Sequence, residues 1–311
     1  MKKTTLASIL VASTLLIGVV ACKKEASNTK NNDEITAHSD DQSQFSSEID
    51  GVANDADVAL ESNASFTGRY DGTQGNICDG NVTVDAVSNP RTITIAYDGT
   101  VCPGAFHKRQ GTVVISMAQG VQWKNAGAAV TVTFQNLKIT RLSDSKSITI
   151  NGAQTYTNVS GGLLISLINP SVTITHAITS DGLSVTFDNG SQRSWKVAKQ
   201  RVFSNVNNSL VISTTGTHTE GNTAHVAEWG TNRFGGSFMT AISEPLVVKQ
   251  DCGFRVTSGK VTHTVNVGSA VVTFGLNANG EATTCPGLNP YYMKIVLTGN
   301  NGNSITVIRP Y

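Results

Sequence analysis

The chain has 311 residues, 39% hydrophobic and only 14% charged, with 29 Gly, 7 Pro and a formal net charge of +1. Low charge together with abundant Thr, Ser, Asn and Val is the balance of an extracytoplasmic β protein and not of a disordered chain. No Lys/Arg cluster stands out, which excludes a nucleic-acid footprint. The near-neutral total conceals a division. Residues 39–61 hold seven acids (Asp40, Asp41, Glu48, Asp50, Asp55, Asp57 and Glu61) and no Lys or Arg, whereas eighteen basic residues face twelve acidic ones from 62 onward.

The chain opens with Lys2 and Lys3 before the apolar run "LASILVASTLLIGVVA" and Cys22. This pattern predicts a signal peptide over 1–21, too short for a comfortable membrane span. The ending "VVAC" resembles a bacterial lipobox, which implies cleavage before Cys22 and lipidation (palmitate included) of that residue. Lys23, where Asp would favour inner-membrane retention, implies an outer-membrane destination. Residues 22–38 are polar and aperiodic and read as a lipidated Cys plus flexible tether, with a root-mean-square span of about 20–25 Å.

Residues 39–62 predict a short amphipathic helix. Phe45, Ile49, Val52, Ala56 and Leu60 form one apolar stripe, Ser39 is placed as N-cap, and Asp40 and Asp41 lie at the positive end of the dipole. The stripe is expected to dock on a sheet with the acidic side facing water.

From 63 to 311 the pattern is all β. Alternating runs such as "TITIAY", "AVTVTFQNLKIT", "SVTITHAI", "SWKVAKQRVF" and "KVTHTV" are divided by "SDG", "DNG", "NANG" and "NNGN". This predicts an antiparallel meander forming a large sandwich or a long twisted sheet. With Cys22 lipidated, Cys78, Cys102, Cys252 and Cys285 remain, an even number that in an oxidising compartment implies two disulfides with three possible connectivities. Two segments, 78–117 and 252–298, read as degenerate repeats: Cys, strand, turn, strand, Cys-Pro-Gly, strand. Each repeat is therefore expected to carry its own bridge, Cys78–Cys102 and Cys252–Cys285, worth roughly 3–4 kcal/mol apiece in the chain-entropy model. A four-cysteine zinc site would need a C-x2-C pair, which is absent.

Signals for chemistry are sparse. In "GTHTEGNTAHVAEWG", His218 and Glu220 share a strand face, with His225 and Glu228 beyond a turn, which makes His218, Glu220 and His225 a candidate metal set. A polar hairpin facing water accounts for the same residues. No G-x-S-x-G elbow or phosphate-cradling loop occurs, and nothing positions the late acids Glu220, Glu228, Glu244 and Asp251 as a catalytic pair. No cofactor is expected. Among the aromatics, Trp195 reads as core, whereas Trp229 beside Arg233 reads as an exposed platform for a sugar ring or protein partner.

The segments "EIDGVANDADVAL", "ITIAYDGTVCPG" followed by "KRQGTVVISM", "SQRSWKVAKQRV" and "TNRFGGSFMTAISEPLVVKQDCGFRVTSGKV" resemble a family of lipoproteins common in Bacteroidota, with a lipobox, a short Asp- and Asn-rich helix and a large β domain. The resemblance implies no activity. In that family an acidic residue tends to follow the cysteine where this chain has Pro103 and Pro286, so ion binding at that turn is not implied. The expected role is non-catalytic, binding or structural, for a cell-envelope lipoprotein held on a lipid membrane, with a polysaccharide or an envelope protein as partner. The competing reading is an envelope-anchored glycan-active hydrolase.

Overall fold

The computed structural model describes residues 22–68, 77–287 and 289–311, with side chains from Asp33 onward. The expected signal peptide at 1–21 and the side chain of Cys22 lie outside the described residues. A long helix, α1 (Cys22–Glu61), and a single turn, α2 (Ala64–Thr67), precede fifteen strands. These are β1 (Gly80–Asp85), β2 (Arg91–Asp98), β3 (His107–Met117), β4 (Ala128–Arg141), β5 (Ser147–Asn158), β6 (Thr173–Phe187) and β7 (Gln192–Val206). They continue with β8 (Ser209–Gly216), β9 (His218–Glu220), β10 (Thr223–Thr231), β11 (Ser237–Lys249), β12 (Arg255–Val265), β13 (Gly268–Leu276), β14 (Tyr292–Gly299) and β15 (Ser304–Pro310).

All strands belong to one antiparallel sheet, the twisted-sheet alternative and not the sandwich. Its order follows the chain except between β7 and β11. There β8 pairs with Lys199–Val206 of β7 and Leu246–Lys249 of β11, while β10 fills the other half of the same slot. The β9–β10 hairpin is an excursion from this shared line. Gly216 makes the junction possible, because any Cβ there would overlap the His225 carbonyl. Bulges interrupt successive ladders from β3 to β7, at Gln110/Thr112, Phe134/Leu137, Gly152/Thr155 and Ser180/Leu183. Each adds bend and twist, and the sheet curls around α1.

The helix differs from expectation in length and in environment. It begins at Cys22 and runs 40 residues, about 60 Å at the usual rise, so the expected tether and the Ser39 cap are both part of it. No Gly or Pro occurs between Cys22 and Asp50, and the sheet encloses its lower half: Ile35 lies under Gly268, and His38 packs on Phe238 and near His263. Nor is one stripe buried. Ile35, His38, Asp41, Phe45, Glu48, Val52, Ala56, Asp57 and Leu60 all lie inside, and the most exposed described positions are Asp33, Thr36, Ser43, Ser47, Asn54 and Val58.

The expectation that the acids face water is overturned for Asp41, Glu48 and Asp57, which are buried, whereas Asp40 and Asp50 keep over a third of their side chains exposed while still pairing. Asp40 pairs with Arg141 at 3.3 Å, Asp41 with Arg233 at 2.5 Å, Glu48 with His107 at 3.2 Å, Asp50 with Lys199 at 3.7 Å, Asp55 with Arg109 at 2.8 Å and Asp57 with His176 at 3.3 Å. The seventh, Glu61, accepts the Leu164 backbone N–H at 2.8 Å. The reason is geometric: a sheet that surrounds a helix leaves it only one narrow wet face, so the remaining charges must find partners. The contacts also record a stagger. β2 meets the helix at Asp55 through Tyr97 (2.8 Å), whereas β13 meets it at Ile35.

Both expected disulfides form, with Cα–Cα separations of 5.8 Å for Cys78–Cys102 and 5.1 Å for Cys252–Cys285. Each joins the residues before a hairpin's first strand to the loop after its second. Apolar packing fills the remaining space: Trp195 is fully buried and stacks on Phe45, and Trp123 lies edge-on to His176.

Arg109 ties two acids together. It forms a bidentate pair with Asp79 (2.7 and 2.6 Å), bonds Asp55 and lies 4.3 Å over the Tyr97 ring. Removing one partner of a buried pair leaves an uncompensated charge, so Arg109→Met is expected to lose about 3–5 kcal/mol of stability. Urea denaturation monitored by tryptophan fluorescence checks this.

Candidate functional site

The curled sheet does not stay on the helix everywhere. Between α1 and the upper parts of β7, β8 and β10–β14 it lifts away and leaves a cavity of about 400 Å³. Such a volume lies within the roughly 300–1,000 Å³ usual for small-molecule sites. Small residues form the helical floor: Ser43, Ser46, Ser47 and Gly51. Gly51 is informative. A Cβ there would meet nothing within 4 Å, so no neighbour demands glycine, and glycine costs a helix interior about 1 kcal/mol relative to alanine. Its effect is to leave the cavity open.

The opposite wall is apolar, built by Ile212, Ile242, Leu246, Val261, Phe274 and Met293. Strand alternation explains this: inward positions of successive strands supply one layer of aliphatic groups. At the helical side polar groups converge. Lys199 contacts Glu228 and lies 3.7 Å from Asp50. Glu228 also accepts hydrogen bonds from Gln42 and from Ser46 (2.9 Å). Burial works against the Lys199 charge, but the Asp50 and Glu228 carboxylates outweigh it and hold the ammonium above its ordinary pKa. Arg201 completes the set, donating from Nη2 to Asn54 Oδ1 at 2.8 Å.

A second recess of about 280 Å³ shares Asn54, Ile212 and Phe254 with the first and continues past Val58 and Leu164. A third, about 620 Å³, shares Ser43, Ser47 and Met293 and reaches the loop at 104–106 and His107 at the start of β3. Together they follow the exposed line of α1 from Asp40 to Val58. Phe254, 53% exposed and held at φ 55°, stands where the first two meet. A left-handed backbone at a bulky residue costs on the order of 1 kcal/mol or more. Beside Phe254, the Cys252–Cys285 bridge fixes the turn.

The residues expected from sequence lie elsewhere. Trp229 is half-buried, with one ring face covered by His218 at 4.0 Å, and Arg233 is engaged by Asp41, so the pair does not form an open platform. His218 and Glu220 touch at 3.0 Å, but His225, exposed at the bulge of β10 with φ 59°, does not join them. Among the described residues, the one three-membered group with metal-ligand spacing is Asp251, Cys252 and Cys285, whose thiols are both in a disulfide. The late acids also separate: Glu228 lies in the cavity, Glu244 pairs with Lys260 and Asp251 is exposed beside the bridge. The cavity itself was missed, although inward alternation of Arg193, Trp195, Lys199 and Arg201 along "RSWKVAKQR" signals a strand facing something polar.

Comparison of the chain with protein-family models, with curated proteins and with solved structures returned no match.

Titration of the buried groups gives the site a pH signature. Burial and then Arg193 push His263 down to about 4, and burial, Arg193 and His263 push His38 down to about 2. Both stay neutral in the folded protein while the unfolded chain takes up protons near 6.5. Stability is therefore fully present above pH 6.5 and is lost as the pH falls from there toward 4, by about 2 kcal/mol per histidine on reaching pH 5. In urea midpoints measured at pH 7 and 5, His263→Gln is expected to shrink the drop by roughly that amount.

Proposed function

We propose that the protein is a cell-envelope lipoprotein, anchored through a lipidated Cys22 to the outer membrane, that holds a small ligand without transforming it. The observation that carries the binding part is the cavity beneath Gly51: an apolar wall, a few convergent polar groups, and a helix position whose openness costs stability. Support for a non-catalytic role comes from how those polar groups are arranged. Glu228 and Lys199 neutralise one another, and Glu228 accepts two further hydrogen bonds, so neither is free to act as acid, base or nucleophile.

The anchoring part rests on the lipobox-like "VVAC" and on the resemblance to Bacteroidota lipoproteins. Among the described residues no helix is long and apolar enough to cross a membrane. Exposed Phe106, Leu142 and Phe234 are in keeping with a membrane-proximal position, because they lie on loops next to Arg141 and Arg233, which hold the N-terminal half of α1. A polysaccharide platform at Trp229 is the less favoured reading, since His218 covers one face of the ring.

The test uses a variant that fills the cavity without disturbing the fold. Gly51→Leu is expected to keep or raise the melting temperature, through better helix propensity, and to abolish ligand-induced stabilisation. For the unaltered protein, an apolar ligand at one hundred times its dissociation constant is expected to add about 2.7 kcal/mol. A thermal-shift series with apolar ligands, soluble polysaccharides and EDTA reads both. Equal shifts in the two proteins, or a shift only with polysaccharide, would refute cavity binding.

A further inference from the structure

We propose that the ligand of this cavity is a single-chain amphiphile with a carboxylate head, held by Arg201, whose tail runs along the apolar wall toward Met293. This rests on the cavity being the binding site and names what it takes. Arg201 is 4% exposed, lines the cavity, and has no carboxylate of the described residues within 4.0 Å. Among the described residues its Nε and Nη1 find no hydrogen-bond acceptor, and Nη2 donates to Asn54. Buried guanidinium N–H groups without acceptors are rare, and each asks for an explanation.

The neighbouring groups do not supply one. Both cavity carboxylates, Glu228 and Asp50, lie against Lys199. Asp57, at the adjoining recess, pairs with His176 at 3.3 Å. Comparison with Arg193 sharpens the point. That guanidinium also lacks acceptors at Nε and Nη1, but Trp195 at 3.6 Å and Phe238 at 4.4 Å cover it. Arg201 has only Phe203, at 5.3 Å. A planar carboxylate would supply the missing counter-charge and could accept from Nη1 at the end of the guanidinium, with Nη2 beside it.

Shape argues for a chain and not a compact ligand. The cavity follows α1 from Gln42 to Asn54, about 18 Å along the helix axis. Arg201 bonds Asn54 at one limit of that span, and Met293 packs near Ser43 and Ser47 toward the other. Head and tail therefore have separate, fixed ends, with Phe254 at the entrance beside the head.

The experiment compares three ligands with one chain and different heads, palmitate, 1-hexadecanol and hexadecylamine, by displacement of cis-parinarate from the purified protein. The expected result is palmitate binding at least tenfold more tightly than either analogue. Arg201→Gln should remove that preference while leaving hexadecanol binding unchanged, and Arg201→Lys should retain part of it. The head-group comparison on the unaltered protein needs no variant, so poor folding of Arg201→Gln would not obscure the answer. Equal binding of palmitate and hexadecanol, lost in Gly51→Leu, would overturn the carboxylate assignment and keep the cavity. Preference for hexadecylamine would overturn it too, by giving Asp50 and Asp57 the deciding charge. If no probe binds, or if Gly51→Leu binds as well as the unaltered protein, the amphiphile and the cavity reading fall together.

Discussion

Everything in this molecule depends on placing an acidic helix inside a sheet. Six helical carboxylates meet six cationic or histidine side chains from β3, β4, β6, β7 and the loop after β10. Pairs of this kind add little net stability, because desolvation offsets much of the attraction. Their effect is on geometry. A helix turned by one residue, or slid by one turn, would leave several carboxylates facing aliphatic wall and several cations facing each other. Burial raises the pKa of Asp41 and Asp55 even beside Arg233 and Arg109, which indicates how costly an unpaired arrangement would be. The charges thus define one depth and one rotation for α1.

The same constraint accounts for the cavity. The lattice of ion pairs is dense on the β3–β7 side, where bulges bend the sheet onto the helix. It is sparse on the β11–β14 side, where the inward residues are largely aliphatic and, among the described residues, no ion pair reaches α1. The floor there is serine and glycine. A wall without partners and a floor without bulk leave a space between them, and the last cation of β7, Arg201, is left at its rim.

Much of this could be read from sequence. Period-two alternation and turn residues gave an antiparallel all-β chain, and the repeated Cys-Pro-Gly endings gave both disulfide pairs. Helix placement over the acidic run was also legible, because Phe45, Ile49, Val52, Ala56 and Leu60 recur at helical spacing. What escaped was which side of the helix is wet. The apolar stripe alone predicts a single buried face, on the rule that acids seek water. Yet the excess of basic residues after 62 was visible, and in β7 the alternation places Arg193, Lys199 and Arg201 on the same face as Trp195. Cations on a core-facing strand and acids on a helix are complementary signals that become informative only together. Helix length escaped for a related reason: the polar residues at 33–38 carry no helical periodicity, and tertiary enclosure by β11–β13 holds them. The cavity depends on how far two surfaces separate, which no local pattern encodes.

Because α1 is both the central element and the N-terminal one, it is also the path by which mechanical load enters. A pull on the chain's N-terminus is directed along the helix axis, not against the free edge of β1 or β15. Resistance then comes from the contacts between Asp40 and Asp57, which must slip together and not open one after another as a strand would peel. The cavity lies along that same axis. Tension that draws the helix out by even one turn would pull Asn54 away from Arg201 and bring Asp57 and Val58 level with it, so occupancy of the cavity and strain on the N-terminus would be coupled through a single sliding rod.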